Sequence, residues 1–360
     1  MNAGSSSVKL SLVDEQDRTL AERELAAPRA EVDPGALSQA LDAHFAGADA
    51  VAHRIVHGGE RYRQAVVVDP AVRRELDALS DLAPLHQPKS LAALDAVSAQ
   101  LPGLPAVACF DTAFHGTLPP AAYTYALPER WRVRWGVRRF GFHGLSHSWI
   151  ARRTGELIDD PADRARIVSC HLGAGASLCA IADGRSIDTT MGFTPLEGLM
   201  MATRSGSIDP GLMLWLLERD AVDEQEMAAA LEHESGLAGL AGDADMQAVL
   251  ARVASGDAAA GLAIDVYVHR LRAGIGAMAA SLDGVDVLVF TGGVGERGAA
   301  VRALAADGLG FLGVAIDGAA NESMAPDAEI TAAGAPVRTL VLRAREDLEM
   351  VRQTRRALSG

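Results

Sequence analysis

Hydrophobic and polar positions alternate over short stretches of the chain and recur with helical spacing over longer ones. Val8, Leu10 and Leu12 alternate with Lys9 and Ser11, which is the two-residue period of a half-buried strand. Short apolar stretches predict further strands over residues 64–69, 106–111, 166–171, 177–181, 186–190, 285–290 and 337–342, and Arg54 occupies a strand-like position. Helical spacing predicts helices over residues 70–82, 146–157, 211–218, 224–233, 257–280 and 346–358. Strands interleaved with helices predict an α/β fold.

Two short turns built from small residues echo each other at distant places in the chain. Residues 2–7 lead into one predicted strand, and residues 171–177 lead into another, each followed by a hairpin signal. The 360 residues exceed the size of one typical domain. The echo and the length together predict two similar domains.

Charge and composition exclude several classes of partner. The chain has 33 Lys and Arg against 47 Asp and Glu, so its net charge is −14, and only 4% of its residues are aromatic. Such a surface repels nucleic acid and anionic membranes and offers few stacking platforms, so we expect neither partner. No apolar stretch reaches the roughly 20 residues that span a bilayer, and residues 1–7 lack the pattern of a signal peptide. Cys109, Cys170 and Cys179 form no CxxC pair, which predicts free thiols in a reducing cytoplasm.

Three glycine-containing turns adjoin predicted strands, at residues 4–7, 173–175 and 291–296. Bare backbone amides in such turns can approach phosphate closely, so the three together favour a nucleotide site. The Walker A sequence is absent, which disfavours an ordinary P-loop enzyme. Residues 293–298 match GxGxxG, but too few residues follow Asp317 to complete a dinucleotide-binding domain.

Two pairs of histidines have the four-residue spacing that zinc can use on a helix. His53 and His57 lie in a β-branched stretch, and His143 and His147 flank a predicted helix entrance with Ser146 as its N-cap. Neither context suits a helical zinc site. A histidine beside an arginine is better suited to hydrogen-bond a phosphoryl oxygen.

Arg54 and Arg204 each lie among small and apolar residues, where a guanidinium needs a partner. That partner is either a bidentate anion or a structural carboxylate. Arg138 and Arg139, by contrast, are interpreted as part of a solvated charge run.

Two carboxylates follow predicted strands. Asp111 ends one such strand and Glu346 follows another. This position suits magnesium binding or catalysis, and equally a helix N-cap or a first-turn acid.

Read in chain order, several segments resemble the acetokinase family. They are NAGSSSVK (2–9), HRIVHGGE (53–60), LAPLHQP (82–88), FDTAFHGTLP (110–119), RRFGFHGLSH (138–147), HLGAGAS (171–177), the block 188–211, VFTGGVGE (289–296) and ARED (344–347). The resemblance implies two similar ribonuclease H-like α/β domains of the acetate and sugar kinase, heat-shock protein and actin superfamily. The implied domains are residues 1–112 plus 347–360, for carboxylate and phosphate, and residues 113–346, for nucleotide and dimer contacts.

The reaction that the resemblance implies is reversible, in-line phosphoryl transfer from ATP to acetate, giving acetyl phosphate and ADP. The reaction uses Mg²⁺, with Mn²⁺ as an alternative metal. The resemblance also implies that the protein is a cytoplasmic homodimer. Because acetate is ionised at pH 7, no base is needed to form the nucleophile, and Asp111 is expected to orient an arginine or a metal-bound water. A kinase for propionate or another short carboxylate, and a silent nucleotide-binding homologue, remain alternatives.

The resemblance also assigns roles to individual residues. Asp111, His143 and Arg204 are catalytic, and Asn2 and Glu346 hold the metal. The substrate contacts are Arg54, Val56, Leu85, His86, Phe142 and Pro195. The nucleotide contacts are Lys9, His171, Leu172, Gly173, Ala174, Gly175, Asp245, Met246, Gln247, Gly293, Val294, Gly295, Glu296 and Arg297.

Some positions depart from the family pattern. Met1 directly precedes Asn2, where the family has a short apolar strand. Either the sequence starts too late or the first strand is missing, and in the second case Asn2 is expected to be frayed. Gln247 replaces an arginine, which predicts one weaker nucleotide contact. Ala174 and Gln87 each replace an asparagine, and Ser207 replaces an aspartate.

Overall fold

The structure is a computed structural model that describes residues 1–3, 7–26, 34–45, 47–84, 87–158 and 165–359. It contains two compact units. The first comprises Met1–Gly116, Phe142–Trp149 and Arg345–Gly360, and the second comprises Thr117–Gly141 and Ile150–Ala344.

The strands, in chain order, are β1 (Asn2–Ala3), β2 (Ser7–Val13), β3 (Thr19–Ala26), β4 (Val51–Ile55), β5 (Val66–Val67), β6 (Ala106–Phe110), β7 (Ile167–Leu172), β8 (Ala176–Ala182), β9 (Arg185–Thr189), β10 (Val287–Thr291), β11 (Ala328–Glu329) and β12 (Arg338–Val341). The helices are α1 (Pro34–His44), α2 (Pro70–Ala78), α3 (Gln87–Gln100), α4 (Pro120–Tyr123), α5 (Glu129–Trp135), α6 (Gly144–Ile158), α7 (Pro210–Leu217), α8 (Glu224–Ala229), α9 (Gly236–Ala241), α10 (Met246–Ala254), α11 (Ala258–Ser281), α12 (Gly292–Arg297), α13 (Ala299–Asp307), α14 (Gly318–Ser323) and α15 (Glu346–Ser359). Short 3₁₀ turns cover Ser80–Leu82, Ala113–Thr117 and Gly310–Leu312, and a π turn covers Ala230–Glu234.

The second unit is built on a six-stranded sheet with the order β11-β12-β10-β7-β8-β9. β7, β8 and β9 are successive antiparallel strands, β10 is parallel to β7, and β12 is parallel to β10. β11 is antiparallel to β12 at the edge. β10 is buried at every residue, which matches its continuous apolar sequence and an interior place in the sheet.

The first unit repeats this arrangement. β1, β2 and β3 are successive antiparallel strands, β4 is parallel to β6, and β5 is antiparallel to β6. The nitrogen of Met1 donates to the carbonyl of Ala52 (2.7 Å), and the amide of Arg54 donates to the carbonyl of Met1 (3.0 Å), the bonding pattern of a parallel pair. These bonds give the order β5-β6-β4-β1-β2-β3, the same as in the second unit. The predicted α/β fold with two similar domains is therefore confirmed.

The sequence echo has a structural basis in this repeat. Residues 2–7 link the first two strands of the first unit along the chain, and residues 171–177 include the turn between the first two strands of the second. Asn2 lies in β1 opposite Lys9, and its neighbour Met1 is bonded to β4. The expectation that Asn2 is frayed is therefore wrong, because strands flank it on both sides.

Side chains of β4 and β6 alternate between two apolar layers. Ile55, Ala108 and Phe110 belong to one core cluster, whereas Val107 and Cys109 belong to another that also contains Met350 of α15. By the two-residue period of a strand, Arg54 points to the side of Ala52, which packs with the α15 cluster. The fold thus places the Arg54 side chain on the face where α15 begins.

Most predicted elements occur, with differences at their ends. Each predicted strand coincides with an observed one, although residues 64–69 contain only the short β5. The predicted helix 224–233 is α-helical only to Ala229 and continues as the π turn. Ser146 is not an N-cap, because α6 already begins at Gly144 and the amide of His147 donates to the carbonyl of His143 (3.0 Å).

The three cysteines of the chain are free and buried, as expected. Burial raises the pKa of the Cys109 thiol to about 12, and it raises the pKa values of Cys170 and Cys179 as well. No helix within the described parts of the chain is long and apolar enough to cross a membrane.

Candidate active site

A partly buried arginine and a buried aspartate form the centre of the site in the first unit. Arg54 lies in β4, and Asp111 follows the neighbouring parallel strand β6, where its amide donates to the carbonyl of Ile55 (3.1 Å). The guanidinium donates to Asp111 from Nη2 (2.7 Å to Oδ2) and from Nε (3.0 Å to Oδ1). Asp111 is only 2% exposed. This is the bidentate geometry in which an arginine and a carboxylate fix each other's orientation.

The remaining nitrogen of Arg54 connects Asp111 to two more side chains. Arg54 Nη1 donates to Asn2 Oδ1 (3.1 Å) and lies 3.4 Å from Glu346 Oε2. Asn2 Nδ2 also donates to Glu346 Oε2 (3.2 Å). Four residues assigned separate roles from the sequence, Asn2, Arg54, Asp111 and Glu346, therefore form one hydrogen-bonded cluster.

The electrostatics of this cluster favour a permanently charged arginine. Burial alone would lower the pKa of Arg54, but the facing carboxylates of Asp111 and Glu346 outweigh it, so the pKa is raised. The cluster contains two carboxylates and one guanidinium, so its formal net charge is −1.

The donor set of this cluster fits a magnesium ion. Mg²⁺ prefers oxygen ligands and usually binds through one or two carboxylates together with water and substrate phosphates. Glu346 and Asn2 supply such oxygens beside an unbalanced negative charge. Within the described residues, no group of three or more His, Cys, Asp and Glu side chains is arranged to hold a metal, so the protein would supply only part of the coordination.

The segment that follows Phe142 lies directly against Asp111. His143 has a φ of +56°, a conformation that costs most residues on the order of 1 kcal/mol or more. The amide of the next residue, Gly144, donates to the carbonyl of Asp111 (2.8 Å), and a Cβ on Gly144 would lie 2.2 Å from that oxygen. Only glycine allows this approach, and it fixes the backbone of His143 next to Asp111.

The predicted substrate residues of the first unit have firm supports. Phe142 is buried, its ring packs edge-on against His57 (5.6 Å between centroids), and its carbonyl lies 3.0 Å from His115 Nε2. Gln87 Oε1 accepts from the amide of His57 (3.1 Å), and Gln87 Nε2 donates to the carbonyl of His57 (3.0 Å). Gln87 therefore clamps the residue that follows Val56. Sequence reasoning noted Gln87 only as a departure from the family pattern.

Arg204, in the second unit, has a different environment. Its Nε lies 3.1 Å from Glu232 Oε2, and its Nη1 donates to the carbonyl of Pro195 (3.4 Å) and to Met201 Sδ (3.7 Å). Sequence reasoning left open whether the partner of Arg204 is an anion or a carboxylate, and it did not single out Glu232. The π turn that places Glu232 gives no distinct sequence signal.

The loop that contains Pro195 is held by a network that sequence reasoning missed. Arg139 Nη1 donates to the carbonyls of Thr190 and Met191 (3.0 Å each), and Arg139 Nη2 donates to Glu197 Oε1 (2.7 Å). Tyr125 donates to the other oxygen of Glu197. The interpretation of Arg139 as part of a solvated charge run is therefore wrong. Arg138 is half-buried, and its guanidinium stacks on Tyr123, 3.9 Å from the ring centroid.

The structure brings two of the predicted nucleotide segments together in the second unit. His171 at the end of β7 is paired with Thr291 at the end of β10, so the turn 173–175 and the start of α12 follow neighbouring parallel strands. A Cβ on Gly292, whose φ is +79°, would lie 2.7 Å from the carbonyl of Leu172. The two segments therefore lie together at the carboxyl ends of β7 and β10. They are residues 171–175 and 293–297, which include Ala174, Val294, Gly295, Glu296 and Arg297.

The other predicted nucleotide residues lie elsewhere. Lys9 is exposed on β2 and its nearest carboxylate is Glu24, at 3.9 Å. Asp245 is the N-cap of α10 and accepts from the amide of Gln247 (2.7 Å), while Met246 is buried. Leu85, His86 and the turn residues 4–6 lie outside the described residues.

Comparisons with known proteins establish the family of the chain. A sequence model of the acetokinase family matches residues 35–352. The chain belongs to the acetokinase family. Among curated relatives of this acetokinase, the acetate kinase of Synechococcus sp. is 48% identical over 311 residues, which are 86% of this chain and 77% of that protein. The acetate kinase of Leifsonia xyli subsp. xyli is 47% identical over 313 residues, 87% of this chain and 79% of that protein.

Solved structures with the same fold include two kinases named for different substrates. The Porphyromonas gingivalis acetate kinase has a TM-score of 0.90 and 34% identity, covering 99% of this acetokinase and 98% of that chain. A propionate kinase from Francisella tularensis has a TM-score of 0.91 and 31% identity, covering 98% and 97%. These matches confirm the fold class predicted from the sequence.

Proposed function

We propose that this chain catalyses reversible transfer of the γ-phosphoryl group of ATP to acetate, giving acetyl phosphate and ADP. Its family and the acetate kinase names of its relatives support this reaction. The observation that carries the proposal is the cluster in which Arg54 joins Asp111, Asn2 and Glu346. Phosphoryl transfer needs mainly alignment and charge stabilisation, and this cluster presents a fixed cation beside metal-compatible oxygens.

Asp111 acts on Arg54 in this proposal. Acetate is ionised at pH 7, since carboxyl groups have reference pKa values near 4, so it needs no base to attack phosphorus. Both oxygens of Asp111 already accept from the Arg54 guanidinium. Asp111 therefore orients Arg54, which contacts the carboxylate of acetate. His143 and Arg204 stabilise charge on the phosphoryl group in flight.

Glu346 and Asn2 would hold Mg²⁺ or, as an alternative, Mn²⁺. When bound, the ion offsets the negative charge of the nucleotide phosphates. The hydrogen bond between Asn2 and Glu346 keeps both oxygen donors on the same side of Arg54. This assignment predicts that Glu346→Gln raises the Mg²⁺ concentration needed for half-maximal activity.

In this proposal residues 113–346 make the nucleotide and dimer contacts, whereas residues 1–112 and 347–360 bind carboxylate and phosphate. The compact units of the fold divide the chain differently, because Phe142–Trp149 belong to the first unit. The turn after β7 and the first residues of α12 present closely spaced backbone groups that suit a nucleotide. Lys9 approaches the nucleotide phosphates. Asp245, Met246 and Gln247 contact the nucleoside, with Gln247 contributing less than an arginine would.

Propionate is the second candidate substrate, favoured by the similarity to the Francisella tularensis propionate kinase. Val56, Leu85, His86, Phe142 and Pro195 contact the substrate in this proposal, and the apolar ones face its methyl group. One additional methylene changes selectivity by only about 10–200-fold, so the two substrates differ in degree.

A coupled assay for ADP, with acetate, propionate and butyrate as separate substrates, tests the proposal directly. We expect turnover that requires Mg²⁺, with the highest kcat/KM for acetate. A higher kcat/KM for propionate would select the second candidate. Nucleotide binding without turnover on any of the three would identify a silent homologue and reject the proposed reaction.

We propose further that the protein is a cytoplasmic homodimer. The buried free thiols are compatible with a reducing compartment. α7 is almost wholly apolar, yet none of its residues is buried, and Leu214 and Trp215 are 60% and 48% exposed. A contiguous exposed apolar helix marks an interaction surface. Light scattering of the wild type and of Leu214→Glu should give dimer and monomer masses, respectively. Equal masses would exclude α7 from the interface.

A further inference from the structure

The environment of Arg204 contains a carboxylate that the family assignment does not use. Glu232 Oε2 lies 3.1 Å from Arg204 Nε, and the two side chains are only 16% and 20% exposed. Arg204 Nη1 is directed to the carbonyl of Pro195 (3.4 Å). Arg204 Nη2 makes no hydrogen bond with the described residues. Two nitrogens of the fork are therefore constrained, and the third is available for an anion.

The backbone fixes Glu232 as firmly as it fixes Arg204. The hydroxyl of Thr203 donates to the carbonyl of Glu232 (2.9 Å), and the amide of Ser205 donates to the carbonyl of Leu231 (3.1 Å). These bonds tie the residues on both sides of Arg204 to the π turn 230–234. π turns occur often at functional sites, where they redirect a side chain. Here the turn carries Glu232 to Arg204.

A further close approach locks this pairing. Gly236 follows the π turn with a φ of +66°, and a Cβ there would lie 2.2 Å from the carbonyl of Met201 and 2.9 Å from that of Arg204. The amide of Leu237 also donates to the carbonyl of Met201 (3.0 Å). The segment bearing Glu232 therefore cannot move away from Arg204 without breaking several backbone bonds.

We propose that Glu232 is a positioning residue that holds the Arg204 guanidinium with Nη2 outward and limits its affinity for anions. The inference rests on the proposed role of Arg204 in binding the phosphoryl group. A negative charge 3.1 Å from Nε opposes any second anion that approaches the same guanidinium. Glu232 therefore weakens the binding of the anionic substrate to Arg204, and it speeds the release of the anionic product for the same reason.

Two substitutions separate the charge of Glu232 from its geometry. Glu232→Gln keeps an oxygen acceptor for Nε and removes the charge. It should lower the Kd of inorganic phosphate and the KM for acetyl phosphate by about three- to tenfold at low ionic strength, with a smaller change in high salt. Glu232→Ala also removes the acceptor, and it should lower kcat as well.

Glu234→Gln is the matched control. It removes the same formal charge from the same π turn, but Glu234 is exposed and forms no ion pair with the described residues. It should leave the phosphate Kd and the acetyl phosphate KM unchanged. In an Arg204→Gln background, Glu232→Gln should no longer tighten phosphate binding, because the charge it controls is gone.

The outcomes distinguish this inference from the proposed function. Equal phosphate Kd values for Glu232→Gln and Glu234→Gln, or weaker binding by Glu232→Gln, would overturn the role of Glu232. The phosphate titration by calorimetry needs no turnover. If Glu232→Gln tightens phosphate binding but the wild type phosphorylates no carboxylate, the proposed reaction is rejected and the role of Glu232 stands.

Discussion

Arg54 and Arg204 give the same sequence signal, an arginine among small and apolar residues, yet the structure uses them differently. Every nitrogen of Arg54 is engaged, by Asp111 and by Asn2 with Glu346. Arg204 faces one carboxylate and one carbonyl, and its Nη2 makes no hydrogen bond with the described residues. Arg54 is thus the centre of a preformed cluster, whereas Arg204 keeps donor capacity for a ligand. The number of partners, which the sequence does not reveal, separates the two roles.

The largest effect should follow from breaking the Arg54 cluster. Asp111→Asn removes the charge that holds Arg54 in a site where Asp111 is 2% exposed. We expect kcat to fall at least about 100-fold and the free energy of unfolding to drop by roughly 3 kcal/mol, because the partly buried Arg54 guanidinium loses the closer of its two counter-charges. Steady-state kinetics and urea unfolding measure both effects. Near-normal turnover with unchanged Mg²⁺ dependence would remove Asp111 from the mechanism.

The same unit contains a matched control for this substitution. Arg73 also forms a bidentate pair, with Asp95 (2.8 and 2.7 Å), but the Asp95 side chain is 52% exposed. Asp95→Asn should therefore cost less than about 1 kcal/mol of stability and leave kcat unchanged. A comparable loss in both variants would mean that the Arg54 cluster contributes no more than a surface ion pair.

The next effect concerns the strand that presents Arg54. Burial lowers the pKa of His53 to about 3 and the pKa of His57 to about 4, so both rings are neutral in the folded protein at pH 7. The unfolded chain takes up protons below about pH 6.5 while the folded chain does not. Stability is therefore lost as the pH falls from about 6.5. At pH 5 the loss for each histidine is about 2 kcal/mol.

His53→Leu tests this dependence. Neither ring nitrogen of His53 has a hydrogen-bond partner among the described residues, so an apolar side chain sacrifices no polar contact there. Urea unfolding at pH 7 and pH 5 should give a smaller difference for His53→Leu than for the wild type. The exposed His269 of α11 serves as the control, and His269→Leu should keep the wild-type difference. An unchanged difference in His53→Leu would assign the acid sensitivity to other groups.

Much of the fold follows from local patterns, and particular failures show where these patterns end. Asp183-Gly184, the hairpin signal that follows residues 171–177, is an Asp-Gly pair typical of a tight turn, and the structure gives its two residues positive φ values of +51° and +67°. β3 was not predicted, because it is a largely exposed edge strand whose sequence, TLAERELA, has no clear alternation. β3 is defined by its antiparallel hydrogen bonds to β2, which its own sequence pattern does not indicate.

In the candidate site, the sequence identifies the residues of the central cluster better than those that support the site. Asn2, Arg54, Asp111 and Glu346 were all singled out in advance and lie in one cluster. Gln87, Glu197 and Glu232 were not expected to act, because their contacts are to backbone groups or to residues distant in the chain. Long-range partners of this kind depend on packing, which no local pattern encodes.

The smallest predicted effect addresses the support of Arg204. Arg139 holds the loop through carbonyls of Thr190 and Met191 and through Glu197, and the carbonyl of Pro195 in that loop accepts from Arg204. Arg139→Lys keeps the charge but loses the fork that reaches both groups at once. We expect KM for acetate and acetyl phosphate to rise about three- to tenfold with a smaller change in kcat, measured by initial rates in both directions. Arg132→Lys, on the exposed helix α5, is the control and should have no effect, since the Arg132 guanidinium donates, among the described residues, only to the carbonyl of Leu127. If Arg139→Lys also leaves both KM values unchanged, the loop does not depend on the fork, and Glu232 alone would determine how Arg204 is held.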